Sequence, residues 1–413
     1  MLVIPSATEA APCPLGRLPR LAEPQVQLAG PRTVRFYATE PGAAGDNHDA
    51  LTKARVAKGL SEFLGYSYAE TAAASETGPS QSEDVASASS PICYSSGAYL
   101  VPTDTLLGLD QARRLGIASV DDFFGGVVPH PFAATKLISH GLVSPTARAP
   151  QGWSHDFARR TRHAVLPGYS VFSSGDALLA GELMLDQGAV RVKHPFGVGG
   201  RGQWVVRDRS ELLHRLAGFA PDDIREQGLV IERNLHNVVT HSVGQVQAGR
   251  LTISYHGTQT LTTNHRGHEV YGGSTLHVSR GTLDDLLQQD LNPEVREAVE
   301  QAVVYHHAAM DCFRGMFASR CNYDVAQGLD SEGRRLSGVL EQSWRIGGAS
   351  GAEVAALHAL GADPELQSVT ASTCELYADN VVVPAGAWLL YDGDDPKVGR
   401  LTKYAQVRSH VDD

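Results

Sequence analysis

Cysteines are few in this sequence, and they are spread along the chain. There are five, at Cys13, Cys93, Cys312, Cys321 and Cys374. An odd number without any Cys-x-x-Cys pair argues against a disulfide framework and a structural zinc site, and it favours reduced thiols. The N-terminus lacks the basic segment and apolar core of a secretory signal. We therefore expect a cytoplasmic protein.

Long hydrophobic runs and an excess of positive charge are also missing. No segment approaches the roughly 18 consecutive apolar residues that a membrane-spanning helix requires. The formal net charge is −11, so general binding to nucleic acid is not expected. The 413 residues, 42% hydrophobic and 20% charged, have the composition of a soluble globular protein with room for two or three domains.

The most informative segment is a glycine-rich stretch over residues 190–206. It reads as an apolar strand that ends at Lys193, a loop with four glycines, and a second apolar strand. Glycines can turn backbone N–H groups toward an anion because they reach positive φ at little cost, and Lys193 can add a compact positive charge. Taken alone, the loop is more typical of an ordinary glycine-rich hairpin than of an anion site.

The context of this loop excludes several common nucleotide-binding motifs. A dinucleotide-binding fingerprint requires a helix after the glycines, whereas residues 203–207 read as strand. The sequence contains no Gly-Lys-Ser/Thr tripeptide of a P-loop. It also lacks the His-Arg-Asp and Asp-Phe-Gly motifs of a protein kinase. The remaining arrangement is a lysine on the strand that enters a glycine hairpin.

A second informative segment is Glu341-Gln342-Ser343-Trp344-Arg345. Side chains two residues apart on a strand share a face, so Glu341, Ser343 and Arg345 are predicted to lie together. A carboxylate and a hydroxyl there can bind a hard cation such as Mg²⁺, and Arg345 can hold a phosphate or acyl oxygen. An antiparallel turn through residues 328–333 would bring Asp324 near Glu341, and two such carboxylates can bridge Mg²⁺ to triphosphate oxygens. The alternative is a surface strand with a Glu–Arg pair.

Over roughly residues 131–353 the chain resembles the ATP-grasp superfamily, and its motifs follow one another in the order of that superfamily. Thr135-Lys136-Leu137 is similar to the first nucleotide-binding lysine at a helix start. Lys193 with residues 197–202 is similar to the second lysine and the phosphate-covering loop, and residues 230–235 to the strand that pairs with adenine. Residues 124–129, 197–203 and 344–348 resemble more closely a bacterial ATP-grasp-like family whose function is uncharacterised.

The resemblance implies an α/β (α+β) ATP-grasp fold, with two α+β lobes around an ATP cleft and a small α/β domain before them. The expected segments are a disordered leader over 1–31, an N-terminal α/β domain over 32–130 with a low-complexity loop at 71–90, a central region with the glycine-rich hairpin lobe over 131–236, a C-terminal lobe with the metal site over 237–355, and a C-terminal extension packed on the core over 356–413. We also expect a helix start at 135–140, a long polar loop over 264–274 and a helix over 364–377.

The resemblance also assigns roles to individual residues. Catalytic roles fall to Arg345 and Lys193, and binding of Mg²⁺, or alternatively Mn²⁺, falls to Asp324, Glu341 and Ser343. The implied ATP-binding residues are Lys136, Lys193, Gly197, Gly199, Gly200, Arg201, Gly202, Glu232, Arg233 and Leu235. The sequence departs from the superfamily at two points. The superfamily usually has Asn at the position of Ser343. It also usually has a ribose-binding acidic residue, which has no counterpart over residues 235–240.

These roles predict an ATP- and Mg²⁺-dependent, ADP-forming ligase. Lys136 and Lys193 would neutralise phosphates, and a substrate carboxylate would receive the γ-phosphoryl group as an acylphosphate that an amine, a thiol or another nucleophile attacks. The expected partners are therefore a small-molecule carboxylate and a small-molecule nucleophile, with no nucleic acid and no membrane. A small-molecule kinase on the same fold and a non-catalytic ATP-binding sensor remain alternatives.

Overall fold

The computed structural model describes residues 32–40, 45–69, 97–197 and 202–408. The predicted leader over 1–31 and the low-complexity loop over 71–90 lie outside the described residues. So do Gly199, Gly200 and Arg201 of the glycine-rich loop. Within the described ranges, no helix is both long and apolar enough to cross a membrane.

The first part of the chain forms one three-stranded sheet and contributes two strands to a second one. Its elements are β1 (Thr33–Tyr37), α1 (His48–Leu64), β2 (Ser67–Ala69), β3 (Ala98–Pro102), β4 (Leu106–Leu107), α2 (Leu109–Arg114) and β5 (Gly126–Val128). Strands β2, β1 and β3 pair in parallel, in that order. Asn47 caps α1 by accepting from the backbone N–H groups of Asp49 and Ala50, and α1 ends at Gly65, whose φ of 68° suits glycine.

The second part carries a four-stranded antiparallel sheet in the order β6-β9-β7-β8. Its elements are α3 (His155–Thr161), β6 (Gly168–Val171), α4 (Ser174–Leu185), β7 (Val190–Lys193), β8 (Gln203–Val206), α5 (Arg209–Leu216), α6 (Pro221–Gln227) and β9 (Leu229–Arg233). Val190 and Val192 alternate with polar residues along β7 and pack in one apolar cluster with Ala177 and Ala180 of α4. The other face of β7 is therefore left for the side chains of Arg191 and Lys193.

The third part is an eight-stranded sheet in the order β15-β14-β10-β11-β12-β16-β18-β17. In chain order its elements are β10 (His236–Ala248), β11 (Leu251–Thr263), β12 (Glu269–Arg280), α7 (Leu283–Leu286), α8 (Pro293–Cys312), β13 (Phe317–Ala318), β14 (Arg320–Leu329), β15 (Arg335–Ser343), α9 (Ser350–Ala362), β16 (Ser368–Leu376), β17 (Trp388–Asp395) and β18 (Gly399–Arg408). The short strand β13 lies outside the large sheet and pairs with β5. Helix α8 packs with Val325 and Val339 on one face. Helices α1 and α9 pack with Leu276 and Ala371 on the other.

Three local predictions from the sequence are wrong. Residues 364–377 were expected to be helical, but β16 occupies most of them because alternate residues, including Val369 and Ala371, are buried in the sheet. The polar loop expected over 264–274 is only a turn over 264–268, since β12 already begins at Glu269. The helix start at residues 135–140 is a single 3₁₀ turn, Lys136–Ser139, which Thr135 caps by accepting from the backbone N–H of Leu137.

Candidate active site

Lys193 and Glu232 form a buried ion pair on one face of the four-stranded sheet. Lys193 ends β7, Glu232 lies on β9, and both side chains are almost completely buried. Glu232 also lies 3.1 Å from Nε2 of His140 through its Oε2 atom. Although burial opposes ionisation, Lys193 and His140 hold the pKa of the Glu232 carboxyl at about 2. The sheet therefore presents a compact cluster in which Glu232 pairs with both Lys193 and His140, on the strand that leads into the glycine-rich loop.

The approach of His140 to this cluster depends on a glycine. A Cβ atom at Gly168 would lie 2.9 Å from Cε1 of His140 and 2.9 Å from the carbonyl oxygen of Ile231. Any side chain there would therefore push His140 away from Glu232. Within the described residues, Nδ1 of His140 is buried without a hydrogen-bond partner, so this ring nitrogen could still bond to a water or a ligand atom.

Lys136 links the glycine-rich loop to the eight-stranded sheet. Its buried Nζ donates to the carbonyl oxygen of Gly197 at 2.9 Å and lies 2.6 Å from Oε2 of Glu341 on β15. The turn that carries Lys136 is fixed by Gln342, whose Nε2 donates to the carbonyl oxygens of Thr135 and Ala133 at 2.8 and 3.0 Å. One lysine thus contacts both parts of the site that the sequence associates with phosphate and metal.

Asp324 and Glu341 face each other across β14 and β15, as the predicted antiparallel turn requires. The register shifts just after this pair, so that Leu340 is an extra, bulged residue on β15. Oδ1 of Asp324 accepts from Gln259 and Asn322 at 2.8 Å each and lies 3.3 Å from Oγ of Ser242. Burial and the facing Glu341 raise the pKa of Asp324 to about 6, although these donors favour its charged form.

Ser343 and Arg345 follow on the same segment, but each already has a partner. Oγ of Ser343 accepts from Nη1 of Arg320 at 3.1 Å. Arg320 is itself held in a buried pair with Glu353, at 2.8 Å. Nε of Arg345 lies 3.5 Å from Oδ1 of Asp104, which belongs to the loop between β3 and β4. Arg345 therefore lies where the loop between β3 and β4 meets the eight-stranded sheet.

Two of the residues assigned to ATP lie away from this cluster. The Arg233 side chain points to the end of α4, where Nη1 donates to the carbonyl oxygens of Met184 and Gly188 at 3.1 and 3.0 Å. Leu235 is buried in a small apolar cluster with Leu166. Their side chains therefore support the fold, and the backbone N–H of Arg233 already donates to the carbonyl oxygen of Pro167 at 2.9 Å. Gly197 and Gly202 close the described ends of the glycine-rich loop, where Gly202 adopts a φ of 69°.

Sequence reasoning missed several polar residues of the site. Gln259 reaches Asp324 from β11, and the Tyr255 hydroxyl lies 2.6 Å from Oε1 of Glu353 and 3.0 Å from Oδ1 of Asn322. No motif marks Gln259 or Tyr255, because only the strand order of the sheet brings them to the carboxylates. His140 was included in the segment expected to start a helix, but nothing in its neighbours identifies a carboxylate partner.

The donor set suits a metal ion only in part. In the portion of the chain that the structure describes, no group of three or more His, Cys, Asp or Glu side chains could hold a metal. Mg²⁺ usually binds to one or two carboxylates together with substrate phosphates and water. Asp324 and Glu341, which are paired across adjacent strands, fit that mode of binding and not an all-protein cage.

Comparison with solved structures defines the class of fold. Biotin carboxylase from Campylobacter jejuni, crystallised as a β-γ-ATP complex, superposes with a TM-score of 0.50 at 11% identity and covers 92% of this chain and 87% of its own. Phosphoribosylamine–glycine ligase from Thermotoga maritima superposes with a TM-score of 0.47 at 12% identity and covers 92% of both chains. The chain has the ATP-grasp fold, an α+β architecture. At such low identity the likeness extends to the fold alone.

The family is defined by sequence. The chain belongs to the family described as "Protein of unknown function (DUF3182)", which matches it over residues 36–405. None of the curated proteins compared with the chain matches it.

Proposed function

We propose that this protein is an ATP- and Mg²⁺-dependent ligase. It activates a substrate carboxylate as an acylphosphate, which an amine or another nucleophile then attacks, and it releases ADP and phosphate. The observation that carries the proposal is the position of Lys136, whose Nζ is 2.9 Å from the Gly197 carbonyl oxygen and 2.6 Å from Oε2 of Glu341. Lys136 thus links Gly197, at the start of the glycine-rich loop, to the carboxylate of Glu341, and a covered triphosphate needs a cation, a loop and a carboxylate together.

Lys136 and Lys193 are the residues that bind the triphosphate in this proposal. Each is buried and is neutralised by a carboxylate, Glu341 for Lys136 and Glu232 for Lys193. Phosphate oxygens would offer both ammonium groups a second set of anionic partners. Asp324 and Glu341 would hold Mg²⁺, which when bound neutralises triphosphate charge.

The reaction itself needs no nucleophile from the protein. A substrate carboxylate oxygen bonds to the γ-phosphorus of ATP, and the bond from that phosphorus to the β–γ bridging oxygen breaks, so ADP leaves. The incoming nucleophile then bonds to the acyl carbon and loses a proton, while the bond from that carbon to the phosphate oxygen breaks. Arg345 would stabilise the charge that develops on the acyl oxygen.

A non-catalytic ATP-binding sensor is the second candidate. Ser343 favours it, because its Oγ already accepts from Arg320 and a hydroxyl is a weaker metal ligand than the amide that the superfamily usually has there. A small-molecule kinase on the same fold would differ from the ligase by releasing a stable phosphorylated product without a second substrate.

Calorimetric titration of the full chain with ATP and Mg²⁺, followed by measurement of ADP release with pooled carboxylate and amine metabolites, tests these options. We expect Lys136→Met to weaken ATP binding at least tenfold, and Asp324→Asn to abolish ADP release. Lys58→Met and Asp222→Asn remove exposed charges of the same types and should change neither quantity. ATP binding without any ADP release from any pool would refute the ligase and favour the sensor.

A further inference from the structure

A small charged cavity lies beside the candidate active site. It is enclosed by α1, by the turn at Gly347 and Gly348, and by strands β16 and β18, and it has a volume of about 30 Å³. Its polar walls include Asp49 and Lys53 on α1 and Glu375 and Lys403 on the strands. None of these four side chains belongs to the ATP or metal site described above.

The four charges form two pairs of opposite sign. Nζ of Lys403 lies 2.9 Å from Oε1 of Glu375, and the two side chains are only 6% and 13% exposed. Nζ of Lys53 lies 2.8 Å from Oδ2 of Asp49, which is 58% exposed. Burial of a pair such as Lys403 and Glu375 often costs more free energy than its attraction returns, so the fold alone gives no reason for it. Burial raises the pKa of Glu375, although Lys403 opposes that shift.

The geometry of the cavity favours a ligand that carries both charges. Glu375 and Lys403 are directly opposite each other on adjacent strands and point to the same face. With Asp49 and Lys53 across the gap, two ammonium groups and two carboxylates surround one small space. A ligand carboxylate can bond to the lysines while a ligand ammonium bonds to the acids, so that no buried charge loses its partner.

The cavity is connected to the proposed catalytic Arg345 along the chain and through two polar contacts. Gly347 and Gly348 follow Arg345 after the single residue Ile346, and a Cβ atom at Gly348 would lie 2.7 Å from Cε1 of Tyr271, so the wall at Gly348 has no room for a side chain. On the other side, Arg345 contacts Asp104, and the carbonyl oxygen of the adjoining Thr103 accepts from Nζ of Lys53 at 3.4 Å.

The same face of the sheet also leads from the cavity to the metal-binding carboxylates. Thr373, in the cavity wall, is paired with Ser274, and Ser274 with Gln259, which donates to Asp324. Directly paired residues project from one face of a sheet, so these polar side chains form a continuous row. A molecule held in the cavity would therefore lie at the end of a polar surface that reaches the acidic pair.

We propose that this cavity binds the zwitterionic end of a small amino acid, with its carboxylate on Lys53 and Lys403 and its ammonium on Asp49 and Glu375. At about 30 Å³ the cavity has room for about two water-sized groups, so the carboxylate and the ammonium enter it and the remainder of the ligand extends past Asp49, which is 58% exposed. That the amino acid is a substrate of the ligase rests on the function proposed above, whereas its binding does not.

Isothermal titration of the full chain with each of the twenty standard L-amino acids tests the site. The N-acetyl and methyl-ester forms of each binder serve as matched probes that lack one charge. We expect at least one free amino acid to bind and both blocked forms to bind at least tenfold more weakly. Lys53→Met and Glu375→Gln should weaken binding at least tenfold, whereas Lys58→Met, on the same helix but exposed, should stay within twofold.

Asp49 is 58% exposed, so an Asp49→Asn variant, which should also weaken binding at least tenfold, keeps the test decisive if substitution of the more buried Glu375 or Lys53 prevents folding. The site is refuted if no amino acid binds, if the methyl esters bind as tightly as the free acids, or if Lys53→Met binds as tightly as the unaltered protein. Parallel ADP-release assays separate the two proposals. Amino-acid binding without ADP release retains the site and refutes the ligase, whereas ADP release that Lys53→Met leaves unchanged retains the ligase and refutes the bound amino acid as its substrate.

Discussion

Replacement of Glu232 by Gln removes the counter-charge of a buried lysine while keeping the shape of the side chain. In the folded protein the pKa of Glu232 is about 2, against an ordinary value of 4.5, and this difference corresponds to about 3 kcal/mol of stabilisation at neutral pH. Breaking a buried ion pair by removing one partner typically costs about 3–5 kcal/mol. We therefore expect Glu232→Gln to lower the free energy of unfolding by about 3 kcal/mol.

Urea unfolding at pH 7, followed by the fluorescence of the four tryptophans, measures this change. Glu226→Gln is the matched control, because Glu226 is 71% exposed and its contact with Arg225 is 3.7 Å long, so its loss should cost less than about 0.5 kcal/mol. If the free energy of unfolding of Glu232→Gln is within 1 kcal/mol of that of the unaltered protein, the buried charge of Lys193 does not need Glu232 as its counter-charge, and the expected stabilisation by this pair is refuted.

ATP provides a second readout of the same substitution. In the unaltered protein a bound phosphate must compete with Glu232 for Lys193, whereas in Glu232→Gln it would supply the missing negative charge. Saturating ATP with Mg²⁺ should therefore raise the free energy of unfolding more in Glu232→Gln than in the unaltered protein. An equal or smaller increase would argue against phosphate binding at Lys193.

Three further predictions concern the same region. Because the pKa of Glu232 is lowered in the folded state, the stabilisation that its charge provides is complete above pH 4.5 and is lost as the pH falls toward 2. The difference in unfolding free energy between the unaltered protein and Glu232→Gln should therefore shrink over that range in urea titrations. Gly168→Ala should destabilise by about 1–3 kcal/mol, since its Cβ would meet His140, whereas Gly175→Ala, with open space around it, should not destabilise in the same assay. Tyr255→Phe should cost about 1–3 kcal/mol, because it removes a buried hydroxyl that lies 2.6 Å from a buried carboxylate, and thermal unfolding should show a lower midpoint without loss of ATP binding.

The alternation of side chains made part of this structure predictable. Glu341 and Ser343 alternate with the buried Gln342 and Trp344, and a short turn leaves an antiparallel partner little choice of register. The sequence therefore predicts that Asp324 lies near Glu341, and the pairing of β14 with β15 confirms this. The assignment of those side chains to metal and nucleotide stays a prediction.

Other features depended on distant pairing and could not be read locally. Residues 364–377 contain good helix formers, but the ladder with β12 and the burial of alternate side chains outweigh that propensity. Gln259 reaches Asp324 only because β11 lies two strands from β14 in the sheet. The partners of Lys136 and His140 likewise come from elements far away along the chain, and no spacing rule within one segment specifies them.

The order of strands in the large sheet has a consequence for how the chain is completed during synthesis. Strand β12 pairs with β16, yet three helices and three other strands are made between them. Until β16 emerges, one edge of β12 remains unpaired, and its apolar Leu276 and Val278 lack neighbours on that side. Such long-range pairing slows folding and exposes a strand to association with other chains. The nascent protein is therefore most vulnerable to aggregation in the interval between the synthesis of β12 and that of β16.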